Sequence, residues 1–181
     1  MPELSLPTAS VRASFLAAMR EFRAEGRGGP ADDTMVGREI REWAGRWDTA
    51  AGFASYVAAL RSEAKTPPAA GFVLCTTWWW VEGPDYLGRI ALRHRLTDWL
   101  RDFGGHIGYD VRPTARRRGH ATAMLRAVLP HAHAVGIDPA LLTCDLDNTV
   151  SRKVIEASGG VLEDERHGKL RFWVPTDQSR P

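Results

Sequence analysis

Lysine, cysteine and long apolar runs are scarce in this 181-residue chain, and each scarcity excludes something. Lysine occurs only at Lys65, Lys153 and Lys169, so the basic residues are mainly arginine. With a net charge of only +2, the composition does not indicate a nucleic-acid partner. No apolar run of about 18 residues is present, and the N-terminus lacks the regions of a signal peptide. We therefore expect a cytoplasmic protein with no membrane partner.

The two cysteines, Cys75 and Cys144, fall in predicted strands. Because burial in a reducing compartment favours free thiols, we expect no disulfide. Neither cysteine has a second metal ligand at close spacing, so the sequence predicts no metal site.

The N-terminal part, residues 1–68, is predicted to be mainly helical. Apolar residues recur on one helical face over Ala9–Ala24, and a second helix around Phe53–Leu60 ends before Pro67. The segment Asp32–Asp48 carries charge and tryptophan without a clear period, so no element is assigned there. From Gly71 the period changes to that of strands.

Residues 71–175 are predicted to form the sheet. A strand, loop, helix, strand, helix order indicates a βαβα unit, and the strands on either side favour antiparallel neighbours. The expected fold is α/β (α+β), with a mixed, mostly antiparallel sheet of about six to seven strands flanked by helices. The predicted elements are strands at Phe72–Val81, Leu87–Leu96, Gly104–Val111, Ala140–Cys144, Val161–Leu162 and Lys169–Val174, and helices at Ala121–Val135 and Asn148–Ala157.

The segment Val111–Thr122 is the most informative part of the chain, because it joins a strand to a helix through an arginine-rich turn. Pro113 ends the strand, Gly119 allows close backbone approach, and the helix from about Ala121 offers unpaired N–H groups. The consecutive arginines Arg116–Arg118 add positive charge. Neither the P-loop nor the dinucleotide-binding spacing is present. The pattern predicts a pyrophosphate site for a nucleotide-linked cofactor.

This segment resembles the acyl-CoA loop of the GNAT superfamily of N-acetyltransferases. The family pattern Arg/Gln-x-x-Gly-x-Gly/Ala is matched by Arg116, Gly119 and Ala121, and the preceding Val111–Pro113 fits the same family. The resemblance extends over residues 71–160. Three further strings are similar to a bacterial branch of GNAT enzymes with largely unassigned acceptors: Leu92–Leu96, Gly104–Tyr109 and Leu142–Asp145.

The resemblance implies a sheet that splays to leave a cleft for the pantetheine arm, between Tyr109–Arg112 and Leu141–Asp145. It implies acetyl-CoA as the acyl donor, no metal, and an amine of a small molecule or peptide as acceptor. The residues that it assigns to the cofactor are Val111, Arg116, Arg117, Arg118, Gly119, His120, Ala121, Thr122, Asn148 and Ser151.

His106 is the first candidate for the general base. It stands where relatives with Glu-x-Gly-Tyr in this strand carry glutamate, and imidazole titrates near roughly pH 6.5. The alternative is a structural histidine bonded to a backbone carbonyl. Asp110 shares its strand face. His94, Asp110 and Asp145 are the candidates for acceptor binding, although His94 also fits a solvated histidine and Asp145 an ordinary acidic turn.

The expected general acid is missing from its usual place. Many GNAT members have a tyrosine seven residues after the asparagine that corresponds to Asn148, and here that position is Ile155. Asn148 is also a preferred helix N-cap residue. Ser151, Tyr109 or water then protonates the thiolate, or a thiolate of pKa near roughly 8.5 leaves without assistance.

The sequence thus predicts an acetyl-CoA-dependent N-acetyltransferase that forms one domain over residues 1–181 and works by direct attack in a ternary complex. Two alternatives remain open. The fold also serves longer acyl or aminoacyl donors, and a non-enzymatic CoA sensor is slightly favoured by the missing tyrosine. The sequence identifies neither the acceptor nor the oligomeric state, for which a homodimer is one option.

Overall fold

The computed structural model describes residues 1–177, so residues 178–181 of the expected domain lie outside the described part. A π-helical turn, Leu100–Gly104, precedes the fourth strand. The helices and strands are β1 (Glu3–Ser5), α1 (Arg12–Ala24), α2 (Met35–Trp43), α3 (Ala50–Ser62), β2 (Cys75–Glu82), β3 (Asp85–Arg93), β4 (Ile107–Val111), α4 (His120–Ala134), β5 (Ala140–Asp145), α5 (Thr149–Glu156), β6 (Val161–Arg166) and β7 (Lys169–Val174).

The seven strands form two antiparallel sheets, ordered β1-β2-β3-β4 and β5-β7-β6. The break between them falls between β4 and β5. The mixed α/β architecture with mostly antiparallel strands is therefore confirmed, and the splay lies where the family resemblance implies it.

Two hydrophobic cores cover opposite faces of the first sheet. Alternation along β2 divides the tryptophan triplet between them, because Trp79 is fully buried against α1–α3 whereas Trp80 faces α4. Phe15 of α1 lies at the centre of the core between the sheet and α1–α3, where its ring contacts the rings of Trp47, Phe53, Tyr56, Trp79 and Tyr86. Helix α4 buries one face in the other core, at Met124, Leu125, Val128 and Leu129.

Helix α2 forms where the sequence shows no clear period. The Thr34 hydroxyl accepts a hydrogen bond from the Gly37 N–H at 3.1 Å, which is an ordinary N-cap. Val36 and Ile40, four residues apart, supply its buried face. Val36, Ile40 and Trp43 do recur at helical spacing, but within only nine residues, which is a short window for predicting a helix from periodicity.

Several strands differ from expectation. β2 runs over Cys75–Glu82 rather than Phe72–Val81, and β3 over Asp85–Arg93 rather than Leu87–Leu96. β1 was not predicted, because three residues carry too little pattern. β4 begins at Ile107 rather than Gly104, since the π-helical turn takes up the preceding residues. β6 continues to Arg166, beyond the predicted end at Leu162, and the turn before β7 falls at His167 and Gly168.

Candidate active site

The two sheets meet where β4 and β5 begin. The His106 backbone N–H donates to the Leu141 carbonyl at 2.7 Å, and the Leu141 N–H donates to Nδ1 of His106 at 2.9 Å. Gly105 allows this approach, because its φ is +62° and a Cβ there would lie 2.5 Å from the Leu141 oxygen. Beyond this junction the strands belong to different sheets, so a cleft opens toward the loop after β4.

The junction determines the chemistry of His106. Since Nδ1 accepts a hydrogen bond, the neutral ring carries its proton on Nε2. Burial, together with the positive charges of Arg101 and Arg93, lowers the pKa of His106 to about 4. Its basic nitrogen is thus already engaged. The general-base role of His106 stays a prediction. This geometry favours the structural alternative, in which the ring bonds the Leu141 N–H rather than a backbone carbonyl.

The loop before α4 presents a row of unpaired donors. None of the N–H groups of residues 117–122 has a hydrogen-bond acceptor within residues 1–177. Gly119, at the N-cap of α4, has a φ of +81°, and Arg117 has a φ of +61°. Left-handed residues of this kind occur in backbone nests whose successive N–H groups bind anions, and these N–H groups lie at the positive end of the helix dipole. The arrangement suits a phosphate.

The three loop arginines do not share one role. Arg116 makes a two-point ion pair with Glu25 of α1, at 2.7 and 2.8 Å, and its Nε donates to the Val111 carbonyl at 3.2 Å. Arg117 and Arg118 are exposed and have no partner within residues 1–177. The cations that can turn toward a phosphate are therefore Arg117 and Arg118, whereas Arg116 holds the loop in shape.

Further contacts fix this loop to its surroundings. Glu21 of α1 accepts hydrogen bonds from Nε and Nη2 of Arg112, at 2.8 and 2.6 Å, and from the Thr114 N–H and hydroxyl. Burial would raise the pKa of Glu21, but these hydrogen bonds outweigh it and lower the pKa. His120 is held by the indole N–H of Trp80, 3.2 Å from its Nδ1.

Sequence reasoning missed Glu21 and Glu25. The available signal was their spacing of four residues, which places both carboxylates on one face of α1. Nothing local in the sequence connects that face with a loop about ninety residues further along the chain.

The α5 wall of the cleft carries a pair of hydroxyl groups. The Tyr109 hydroxyl lies 2.7 Å from the Ser151 hydroxyl, and the Asn148 side chain accepts from the Ser151 N–H at 3.0 Å, as an N-cap. Burial raises the pKa of Tyr109 to about 12, although the Ser151 hydrogen bond opposes this, so the phenol keeps its proton at neutral pH. Ile155 is fully buried in the core, so the usual tyrosine position serves packing here.

The opposite face of β4 points toward α2. Asp110 pairs across the sheet with Arg89, which forms a buried ion pair with Glu39 of α2, and Glu39 also accepts from the Tyr56 hydroxyl at 3.0 Å. Asp110 itself is half-buried and has no hydrogen-bond donor within residues 1–177. Burial raises its pKa, with Arg89 and Arg27 acting in the opposite direction.

The other two acceptor candidates lie elsewhere or are engaged. His94 follows β3, beyond the part that pairs with β4, and its Nε2 is 2.8 Å from the Thr76 hydroxyl. Asp145 forms an ion pair with Lys169 across β5 and β7. Of the three candidates, the structure brings only Asp110 to the α2 side of β4.

The residues described show no candidate metal centre, because no three histidine, cysteine or acidic residues within residues 1–177 are grouped suitably. Both cysteines are free, and burial raises the pKa of each thiol. None of the helices within the same residues is long and apolar enough to cross a membrane.

A splayed sheet with a phosphate-suited loop at the start of a helix is the arrangement that the resemblance to acyl-CoA-dependent transferases implies. The sequence profile described as "Acetyltransferase (GNAT) domain" matches residues 20–161. The chain therefore belongs to the GNAT family of acetyltransferases, and it is an acyltransferase. A search of curated proteins finds no match.

Solved structures of GNAT acetyltransferases share the fold. Mycobacterium smegmatis RimJ, in complex with CoA-disulfide, has a TM-score of 0.68 at 19% identity, over 99% of this chain and 84% of its own. The microcin C7 self-immunity acetyltransferase MccE, with acetyl-CoA and AMP, has a TM-score of 0.63 at 12% identity, over 96% and 92%. RimL, a ribosomal L7/L12 alpha-N-protein acetyltransferase in complex with coenzyme A, has a TM-score of 0.60 at 14% identity, over 95% of this chain and 92% of its own.

Proposed function

We propose that the protein transfers an acetyl group from acetyl-CoA to a primary amine by direct attack in a ternary complex. The observation that carries this proposal is the row of unpaired N–H groups at residues 117–122, at the mouth of the cleft between β4 and β5. Similar structures hold acetyl-CoA or CoA, which supports the donor. Both small-molecule and peptide amines remain in the proposal, since RimL is described as a protein acetyltransferase.

In this proposal the pyrophosphate binds the loop N–H groups with Arg117 and Arg118, and the pantetheine arm lies between β4 and β5. Attack forms the N–C bond and breaks the C–S bond. The Ser151 hydroxyl, backed by the protonated Tyr109, donates a proton to the departing thiolate. This pair takes the place of the tyrosine that Ile155 replaces.

The amine proton leaves toward Asp110. An alkylamine with a pKa of about 10.4 is mostly protonated at neutral pH, so a base must accept its proton, directly or through water. Since α4 and its core cover one face of β4, the acceptor approaches from the α2 side, where Asp110 has a carboxylate without a donor. The carboxylate replaces His106 in this role, because Nδ1 of His106 is engaged.

Acetyl-CoA binding tests the loop. At about one hundred times its dissociation constant the ligand stabilises the protein by about 2.7 kcal/mol, measured as a shift in thermal unfolding. Gly119→Val forces a β-branched residue to a φ of +81° and places methyl groups where the phosphate approaches, so we expect the shift to disappear. Gly136→Val is the matched control, because Gly136 has a φ of +82° and an equally open Cβ position past the other end of α4.

Gly136→Val should lose comparable stability and keep the acetyl-CoA shift. An unchanged shift in Gly119→Val would remove the loop from the cofactor site.

Turnover separates the proposal from its alternatives. Purified protein is incubated with acetyl-CoA, or with longer acyl-CoAs, and a panel of amines, while free thiol and product mass are followed. Release of thiol with an acetylated amine supports the transferase. Binding without turnover for any donor would favour a CoA sensor, for which Ile155 at the usual tyrosine position is the specific observation.

A further inference from the structure

The α2 side of the sheet has a floor of small residues between two charged rows. Gly108 of β4 pairs with Ala91 of β3, and in the next row Asp110 pairs with Arg89. On the other side of this floor lies Arg93, whose N–H donates to the His106 carbonyl. Residues two apart on a strand are separated by roughly 7 Å, and Gly108 and Ala91 place no long side chain in this interval, which is covered by the Met35 side chain of α2.

The Arg93 guanidinium extends over this floor. Its Nη1 donates to the Gly104 carbonyl at 2.9 Å and to the Gly105 carbonyl at 3.2 Å. The same nitrogen lies only 3.6 Å from where a Cβ on Gly108 would stand. Nε and Nη2 have no acceptor within residues 1–177, and no described carboxylate forms a salt bridge with this side chain.

The electrostatic surroundings of Arg93 leave its charge uncompensated. Burial lowers its pKa, Arg38 and Arg89 lower it further, and the only opposing group is the Cys75 thiol. Across the sheet, Arg93 contributes to the lowered pKa of His106. A half-buried cation among other cations, with free donors, calls for an anionic ligand.

We propose that Arg93 binds a carboxylate carried by the acceptor close to its reacting amine. This inference rests on the proposed function and specifies its substrate class. The floor at Gly108 and Ala91 then lies under the acceptor, with Asp110 at the end where the amine gives up its proton and Arg93 at the end where the carboxylate is held.

Two apolar side chains flank the same space. Met35 at the start of α2 covers Gly108, with its Cε 2.9 Å from the position of an added Cβ, so an acceptor at this place requires that flexible side chain to move aside. Trp99, 54% exposed, lies beside Gly104 and Arg93. The acceptor class that fits is a free α-amino acid, or a peptide with an acidic side chain next to its N-terminus.

Paired acceptors provide the test. In the first series, kcat/KM at saturating acetyl-CoA is measured for each free amino acid and for its amide. In the second series, it is measured for each dipeptide amide with Asp at the second position and for the same dipeptide amide with Asn. We expect kcat/KM to be at least about 10-fold higher for the carboxylate member of one pair series, as for a hydrogen bond to a charged group. The series that shows the preference identifies the source of the carboxylate.

Variants attribute the preference to its residue. Arg93→Gln should reduce the ratio of the two kcat/KM values to near one while the acetyl-CoA thermal shift is kept. Arg95→Gln, an exposed arginine two residues further on, is the matched control and should keep the ratio. Equal rates for both members of every pair in the wild type, or a ratio that persists in Arg93→Gln, would overturn the proposal.

A binding measurement covers the cases in which Arg93→Gln fails to fold or no amine is acetylated. The deaminated analogues of each amino acid and of each Asp dipeptide amide, which keep the carboxylate and lack the amine, are added to the wild type with CoA. We expect an additional thermal shift that the corresponding amide does not produce. If the shift is present but no amine is acetylated, the proposed transferase function is contradicted and the proposed carboxylate site is supported. Loss of the shift alone contradicts the carboxylate site.

Discussion

The two faces of β4 differ in the kind of residue they carry. Toward α4, Ile107, Tyr109 and Val111 pack against an apolar core, and the only polar feature is the Tyr109 hydroxyl at Ser151. Toward α2, Gly108 and Asp110 lie beside buried charges. In the proposed reaction one strand separates two tasks: its apolar face borders the cofactor cleft, and its polar face carries the charges that meet the acceptor.

The largest expected effect comes from the polar face. Asp110→Asn should lower kcat/KM roughly 10²–10⁴-fold, as for a positioned general base, and leave acetyl-CoA binding intact. In the wild type, kcat/KM should rise with pH through the pKa of Asp110, which burial raises above its ordinary value. Asp145→Asn, whose carboxylate is paired with Lys169, is the control and should change kcat/KM little. Full activity in Asp110→Asn would show that the polar face is not the catalytic one.

The junction between the sheets should respond in stability rather than chemistry. His106→Ala leaves the buried Leu141 N–H without an acceptor and should lower the free energy of unfolding by about 2 kcal/mol, measured in urea. His106→Asn, whose amide oxygen can accept, should lose less. In both variants kcat per folded molecule and its pH profile should stay near wild type. A loss of kcat with unchanged stability would restore His106 as the base.

The low pKa of His106 also predicts how stability depends on pH. Its folded-state pKa of about 4 lies below the ordinary value of about 6.5, so the unfolded chain binds the proton more tightly. The stability that comes from keeping His106 neutral is therefore complete above the ordinary pKa of histidine and is lost as pH falls toward 4. His106→Ala should remove that slope.

A smaller effect is expected on the apolar face. Ser151→Ala and Tyr109→Phe should each lower kcat about 10-fold or less, because a thiolate with a pKa near roughly 8.5 is already a tolerable leaving group. The double variant should cost little more than either single change, since the two hydroxyl groups act as one donor chain. Additive losses would indicate that Tyr109 and Ser151 act separately.

The smallest effect concerns the thiols. Cys75→Ala and Cys144→Ala should keep most turnover, because burial raises both thiol pKa values and direct attack needs no acyl-enzyme. An acylated cysteine peptide, found by mass spectrometry after acetyl-CoA alone, would contradict direct transfer.

The sequence predicted the parts of this molecule that depend on local pattern. Gly119 and its flanking strand and helix indicated the family, and the family fold with its splayed sheet is confirmed. Ion pairs between distant segments carry no such pattern. The engagement of Arg116 by Glu25 and of Asp145 by Lys169 could not be read from either partner alone.

The position of His106 shows a second reason. Its place in the strand indicated a face but not the direction of the ring, because the π-helical turn starts β4 at Ile107 and His106 lies just before it. A residue outside the regular strand is free of the alternation rule, and its ring turns to Leu141 instead.

The attachment of the cofactor loop to α1 has a consequence for binding entropy. Because Glu21 and Glu25 already fix Arg112 and Arg116, those two side chains lose little rotamer freedom when a ligand arrives, which otherwise costs about 0.5–1.5 kcal/mol for each immobilised side chain. The pKa of Glu21 is lowered in the folded protein, so Glu21 stays ionised and holds the loop at any pH above the ordinary pKa of glutamate. The preorganisation is lost as pH falls through the folded-state pKa of Glu21. Helix α1, which carries no recognised motif, thus sets how rigid the proposed cofactor site is before the cofactor binds.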